Sequence, residues 1–366
     1  MAAKGRSVFL TGVTGALGRD FVKELLTTTD SQLFLLIRPQ RRFSHWDRAR
    51  KILASWGLEA YLGTRVQVME GDVTSPNFGL ADYDLDILRR EVEEFYHIAA
   101  LTALNGSRED CFHINVHGTQ HALDLAEEFR KEGKLQRFFY FSTAFVAGSL
   151  QTYCAQEDEL PPHPAHANHY EASKYAAESL VRKHMAGGLG VTIFRPSIVV
   201  GDSRTGEVAE FNVIYPFMKM FAHGILKTLP TKLDNTFNIV PIDFVIRAAA
   251  HIAGRSDSVG KTYHLVSQNP PSIGSLLRLK NEEYPQMPPI EVIAPEDFKR
   301  EGLSAEEQMV YDMLSPYLGY LNDHLHFYTA NTEAGLAGSG IEFPKTDYEF
   351  LKILTSYAVE AGYILI

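Results

Sequence analysis

Tyr170 and Lys174 stand four residues apart in Tyr170-Glu171-Ala172-Ser173-Lys174, a spacing that puts both on one face of a helix. An ammonium beside a phenol favours the phenolate, so the pair predicts a tyrosine able to exchange protons near neutral pH. Upstream, Phe141-Ser142-Thr143 closes an apolar run, and Thr143 offers a neutral hydroxyl that can orient a substrate oxygen. The chemistry open to such a set is proton transfer at an oxygen, with Lys174 free to hold vicinal hydroxyls of a ribose.

A second group of residues says which ribose. In Ser7-Val8-Phe9-Leu10-Thr11-Gly12-Val13-Thr14-Gly15-Ala16-Leu17-Gly18 an apolar strand runs into three glycines that open a helix. Gly12 permits the sharp turn, Gly15 lets backbone N–H groups approach a pyrophosphate, and Gly18 lets helix and strand pack closely. With Thr14, Ala16 and Leu17 they read as a dinucleotide-binding turn whose phosphates sit on the helix's positive end. Arg38 follows the second strand, where such folds meet the adenosine ribose. No acidic residue occurs between Ser31 and Trp46, whereas Arg38, Arg41 and Arg42 do, a pattern that favours NADP(H) over NAD. Asp72, with Val73 beside it, is expected to meet the adenine amino group. Ala99 and Ala100 are small enough to let the cofactor pass.

The elements that must position these groups follow from the hydrophobic pattern. Strand-like runs at 32–37, 65–70, 94–98, 137–141 and 191–194 alternate with helical periodicity, as in the first helix, where Leu17, Phe21 and Leu25 share a face with Val22 and Leu26. The expected fold class is α/β: a doubly wound parallel Rossmann sheet with a smaller, mainly helical substrate lobe. Residues 1–202 and 236–267 are assigned to the NADP-binding domain, the latter through strands near 237–240 and 261–266. Residues 203–235 and 268–366 are assigned to the lobe, with helices at 305–321 and 348–357 and a proline-containing connection at 286–295.

Composition narrows the partners. The 366 residues carry a formal net charge of −10, which argues against broad binding of nucleic acid or anionic membranes. Two cysteines, Cys111 and Cys154, make a disulfide framework improbable and a reducing cytosol the expected compartment. No uncharged apolar run approaches the roughly 18 residues of a transmembrane helix. His113, His117 and His121 fall at helical spacing but span about 12 Å, and His163, His166 and His169 lie in a Pro-rich stretch, so no metal site is expected.

Taken together, the glycine turn, the strand-end Ser142-Thr143 and the Tyr170 to Lys174 motif resemble an extended short-chain dehydrogenase/reductase. The segments Phe141-Ser142-Thr143-Ala144-Phe145-Val146-Ala147-Gly148, Asn115-Val116-His117-Gly118-Thr119, Arg195-Pro196-Ser197-Ile198-Val199-Val200-Gly201-Asp202 and Val240-Pro241-Ile242-Asp243-Phe244-Val245 are similar to the thioester reductase and fatty acyl-CoA reductase branch, of the male-sterility type. The resemblance implies Thr143, Tyr170 and Lys174 as the catalytic set. It implies Pro196, Ser197 and Ile198 at the nicotinamide and Asn115 among the cofactor-binding residues. The implied activity is NADPH-dependent reduction of an acyl thioester, on CoA or on the phosphopantetheine arm of a carrier protein, to the aldehyde and in some cases onward to the alcohol. The chain has room for neither an adenylation nor a carrier domain, so the acyl donor is expected to arrive in trans. The stripe Phe211, Tyr215, Met218, Met220 and Phe221 is read either as an acyl tunnel or as helical core packing. The alternative functions are a sugar-nucleotide epimerase or dehydratase, another carbonyl reductase, and a non-catalytic NADPH sensor. Acyl identity, carrier and oligomeric state are not encoded in any motif found.

Overall fold

The computed structural model describes residues 5–148, 154–211, 214–322 and 325–365. The chain alternates from its start: β1 (Ser7–Thr11), α1 (Ala16–Thr28), β2 (Gln32–Ile37), α2 (His45–Ala54), β3 (Val66–Glu70), α3 (Asp82–Glu91) and β4 (Glu94–His97). A short α4 (Arg108–Cys111) passes through a π-helical turn at Phe112–His117 into α5 (Gly118–Glu132), and β5 (Arg137–Phe141) follows. Then come β6 (Cys154–Ala155), the long α6 (His169–Ala186), β7 (Val191–Pro196), β8 (Ile198–Val200), α7 (Ile214–Ala222), β9 (Thr228–Pro230), β10 (Ile239–Pro241), α8 (Ile242–Ala253) and β11 (Thr262–Leu265). The last stretch holds α9 (Ile273–Glu283), β12 (Glu291–Ile293), α10 (Ala305–Leu318), β13 (His326–Phe327), α11 (Ala330–Leu336) and α12 (Tyr348–Glu360).

Seven strands form one parallel sheet in the order β11-β7-β5-β4-β1-β2-β3. The winding reverses between β1 and β4, and a sheet of this kind opens a crevice at the carboxyl ends of its strands at that point. Both faces are covered, which is why the strands read as nearly continuous apolar runs. On β1, Val8 and Leu10 enter the core under α1 and α8, while Phe9 enters the core on the opposite face with Phe95 and Phe138. In α1 the predicted apolar face is buried through Phe21, Val22, Leu25 and Leu26. Burial of side chains of this size contributes about 1.5–3 kcal/mol each.

A second apolar cluster joins Phe145, Ile198 and Val200 beside the crevice to α7, α9, α10 and α12. Of the stripe, Tyr215, Met218, Met220 and Phe221 on α7 are buried here beside Phe217, and Phe211 packs half-buried against the cluster, as core packing demands. Leu336, Ile341 and Phe343 pack instead on the core shared with α8, so this stretch lies against the sheet rather than with the second cluster. The expected connection at 286–295 contains β12, paired in parallel with β9. Prolines on either side hide so short a strand. Small parallel pairs also form between β8 and β10 and between β6 and β13.

One ionic group ties α6 to the sheet. Glu178, with no exposed surface, accepts from Arg195 on β7 at 2.6 and 3.1 Å, from Arg182 at 2.8 Å and from the Ser142 hydroxyl at 2.6 Å. Burial by itself would raise this carboxyl, but Arg195, Arg182 and Ser142 outweigh it and bring it down to about 2. A depressed carboxylate adds stability that is fully present above its unfolded pKa, near 4.3, and is lost as pH falls toward 2. Glu178→Gln, which leaves Arg195 without its counter-charge, should cost about 3–5 kcal/mol at neutral pH. Urea titrations from pH 7 to pH 3 should show the gap to the parent protein narrowing below about pH 4.5.

Candidate active site

The crevice at the winding reversal is a cleft of about 580 Å³, open at one side and floored by the ends of β1, β4, β5 and β7. At its head the glycines meet the demands expected of them. Gly12 has φ +75°, and a Cβ there would sit 2.5 Å from the Ala99 nitrogen. A Cβ on Gly18 would lie 2.2 Å from the Gly12 carbonyl oxygen. A Cβ on Gly15 would meet only the Gly12 oxygen, at 3.5 Å, so that position stays open for a ligand to approach the backbone. Gly15 also gives the first turn of α1 no side-chain cap, and Thr14, Gly15, Ala16 and Leu17 all line the cleft. An uncapped positive helix end beside a bare backbone suits a pyrophosphate.

Farther along the wall lie Arg38, Asp72, Val73, Ala99 and Ala100. Asp72 accepts from the Thr74 backbone and hydroxyl at 3.0 and 2.9 Å and faces Arg38 at 3.5 Å. One carboxylate oxygen therefore shapes the turn, and the other steadies the arginine. Burial would raise this carboxyl, but Thr74 and Arg38 bring it below the usual carboxylate range. Arg48 on α2 also lines the cleft and donates to the Arg38 carbonyl. Burial and the Arg38 charge lower its guanidinium. The sequence reading missed Arg48, whose signal was a fourth arginine, beyond Arg38, Arg41 and Arg42, on a helix start fixed by the Ser44–Asp47 capping box.

The far end of the cleft is built by α6 and the ends of β5 and β7. Asn168 caps α6 by accepting from the Glu171 N–H at 2.9 Å, which sets the first turn that carries Tyr170. Tyr170 is half-buried and its hydroxyl is hydrogen-bonded with that of Thr143. Thr143 is itself held by the Pro196 carbonyl at 3.4 Å. Lys174 is buried; its Nζ donates to the Tyr140 hydroxyl at 2.8 Å and to the Phe141 carbonyl at 2.7 Å. Burial brings this ammonium down to about 7, against the opposing pull of Glu178. The expectation that Lys174 would favour the Tyr170 phenolate is corrected here. The ammonium's hydrogen bonds go to Tyr140 and Phe141, and burial pushes the Tyr170 phenol up. Tyr170 thus stays protonated at neutral pH, which suits a proton donor.

Pro196, Ser197 and Ile198 line the cleft opposite these groups, and beyond them the wall becomes apolar through Leu101, Leu104, Ile114, Phe145 and Val208. Tyr320, which no motif signalled, closes this end, its ring 4.7 Å from that of Phe145. Behind Ile198 and Tyr320 lies a wholly apolar void of about 20 Å³. Asn115 is not among the lining residues. Buried in the π-helical turn, it bonds the Leu101 N–H at 2.7 Å, the Leu101 carbonyl at 3.0 Å and the Ser173 hydroxyl at 2.8 Å, so it fixes the loop after β4 to α6. Among the described residues no group of His, Cys, Asp or Glu is arranged to hold a metal, and no helix is long and apolar enough to cross a membrane.

A parallel sheet with a glycine turn at its winding reversal, and a Tyr-Lys helix facing a strand-end Thr, define an oxidoreductase of the extended short-chain dehydrogenase/reductase class, with a nicotinamide dinucleotide as its cofactor. The chain belongs to the male sterility protein family of NAD-binding domains, which it matches over residues 10–249. A nonribosomal peptide synthetase of Aspergillus flavus is 29% identical over 275 residues, 72% of this chain and 26% of that protein. A putative fatty acyl-CoA reductase of Drosophila melanogaster is 25% identical over 78% of this chain and 59% of its own length. The chain therefore spans only part of these relatives. The terminal R domain of the myxalamid PKS-NRPS pathway superposes with a TM-score of 0.84 at 27% identity, covering 99% of this chain and 94% of that one. A UDP-glucuronic acid 4-epimerase from Bacillus cereus shares the fold, with a TM-score of 0.67 at 17% identity over 97% and 99% of the two chains.

Asn115→Ala would leave both backbone groups of Leu101 and the Ser173 hydroxyl short of a partner. It should lower stability by about 1–3 kcal/mol, read from urea unfolding.

Proposed function

We propose that this protein reduces an acyl thioester to an aldehyde with NADPH, using Thr143, Tyr170 and Lys174. The observation that carries the reading is the character of the cleft beyond the reacting hydroxyls. Its wall is mainly apolar, with Thr102 and Glu210 as polar lining residues, and among the described lining residues the cations are Arg38, Arg48 and Lys174. Two of these stand at the adenosine end, and the third, Lys174, is buried at the floor with Tyr140 and the Phe141 carbonyl as partners. The diphosphate of a nucleotide sugar would find no counter-charge on the substrate side, which counts against the epimerase reading. An acyl chain needs none. The myxalamid R domain and the acyl-CoA reductase relative support the same choice, and both CoA and a carrier-protein arm present the required phosphopantetheine thioester. Val208, Phe145 and Tyr320 are suited to hold the acyl group.

Bound NADPH would supply the hydride to the thioester carbon. The Tyr170 and Thr143 hydroxyls then hold the oxygen on which negative charge develops. Tyr170 gives that oxygen its proton, forming a hemithioacetal. When the carbon–sulfur bond breaks, Tyr170 recovers the proton from the hydroxyl, the carbonyl of the aldehyde forms, and the departing thiolate takes a proton from water. A phenol is protonated at neutral pH, so the donor carries its proton when the substrate arrives. Lys174 positions the nicotinamide ribose, and Arg38 and Arg48 receive the 2′-phosphate. Two guanidinium groups close enough to depress one of them gain from an anion placed between them.

The decisive experiment offers a panel of acyl-CoA and acyl-carrier thioesters with excess NADPH and a hydroxylamine trap, with products read by mass spectrometry. Trapped aldehyde is expected, and Tyr170→Phe should lose about 10²–10⁴-fold in turnover while binding NADPH nearly as well as the parent. A panel that yields neither aldehyde nor alcohol would overturn the assignment. Separately, titration calorimetry should find NADPH bound more tightly than NADH by about 1–3 kcal/mol. Arg38→Ala should shrink that difference.

A further inference from the structure

A polar row, separate from the Glu178–Arg195 ion pair, crosses the middle of the sheet. Thr11, His97 and Tyr140 are direct neighbours in register on β1, β4 and β5, all of them buried, and His97 stacks on Tyr140 at 6.1 Å. Thr119 on α5 completes the row from the face that α6 also covers. Each proton in it can be assigned. The Thr119 hydroxyl donates to the Asn115 carbonyl at 2.6 Å, so its oxygen must accept the contact of 3.2 Å from His97 Nε2. His97 is then the neutral Nε2–H tautomer, and its Nδ1 accepts from the Thr11 hydroxyl at 2.9 Å. The Thr11 oxygen in turn accepts from the Ala99 N–H at 3.3 Å. At the other end the Tyr140 hydroxyl, hydrogen-bonded with Thr119, takes one of the protons of Lys174. Burial and the Lys174 charge bring His97 down to about 3, in keeping with a neutral ring.

We propose that Tyr140 is a positioning residue for Lys174, and that the row Thr11–His97–Thr119–Tyr140 sets that lysine and the dinucleotide turn as one unit. The inference rests on the reading of Lys174 as a cofactor ligand. Tyr140 and the Phe141 carbonyl occupy two of the three ammonium protons, which leaves one to enter the cleft. The far end of the row holds the residue immediately before Gly12 and the backbone of Ala99, both at the head of the same cleft. Tyr140 also stabilises the charged lysine by accepting from it. The titratable groups facing Lys174 are Tyr140 and His97 from the strands and Tyr170 and Glu178 from its own helix. Cys111 lies beside Tyr170, and Glu178 is neutralised by Arg195 and Arg182.

The test is the pH dependence of cofactor binding, followed by fluorescence titration of NADPH from pH 6 to pH 9. NADH, which has no 2′-phosphate to titrate, is run in parallel. In the parent protein binding should weaken as pH rises through the Lys174 pKa. Tyr140→Phe removes one acceptor from the charged form and should move this limb down by about one pH unit. Binding would then be about tenfold weaker near pH 7.5 and close to parental near pH 6. Thr119→Val, which removes the acceptor shared by His97 and Tyr140 at constant shape, should shift it in the same direction by less, and it serves if Tyr140→Phe does not fold. Lys174→Met should abolish the limb in either background. A profile unchanged in a variant that melts as a folded protein, or a loss of affinity equal at every pH, would overturn the proposal. Because the readout is binding, failure of the thioester assay leaves it standing.

Discussion

The carboxylate of Glu178 is the constraint on which the rest of the site depends. Tyr170, Lys174, Glu178 and Arg182 recur every four residues along α6, and only one rotation of that helix about its axis lets Glu178 reach both Arg195 on β7 and Ser142 at the end of β5. Each residue of slip would turn the face by about 100° and strand a charge in the core. Exchanging a buried ion pair for apolar side chains is often neutral for stability, so the value of this one lies in register. It points Tyr170 at Thr143 and Lys174 at the floor of the cleft.

The same arginine reaches beyond the helix. Arg195 donates to the carbonyls of Gln156, Glu157 and Glu159, and so draws in the segment after β6. The Glu157 carboxylate accepts from the His264 N–H and from the hydroxyl and N–H of Thr332, at 2.9, 2.7 and 3.2 Å. Glu157 is buried, and burial raises its carboxyl against the pull of these donors. Through this chain α11 is fastened to the edge of the sheet, so residues that follow the lobe elements in sequence end up on the sheet's core.

What could be read from the sequence was whatever local sterics and periodicity dictate. Gly12 is required by its positive φ and Gly18 by the Gly12 carbonyl one turn away, the strands by their apolar runs, and the Tyr170–Lys174 spacing by the helix pitch. Partners set by register across the sheet were hidden. Tyr140 sits in Phe138-Phe139-Tyr140-Phe141 and looks like one more core aromatic until His97 and Lys174 are brought to it. Arg48 joins Arg38 only because the α2 cap fixes where that helix begins. Asn115 carries a family motif, yet its amide is consumed by Leu101 and Ser173, since a buried side-chain amide goes to the nearest unpaired backbone.

Tyr320 gives the molecule a timetable. Its hydroxyl accepts from the Asn168 side chain at 3.0 Å, across 152 residues of chain, and Asn168 is the cap of the helix that carries Tyr170. During synthesis at about 5–20 residues per second, α6 emerges roughly 8–30 s before the residue that closes the wall around it. The glycine turn and β1 to β5 are already made by then, and β7 and β11 follow within the interval, but the Tyr320 wall of the cleft must wait for the far side of the chain. A nascent protein of this kind would complete its glycine turn first and the wall of its cleft last.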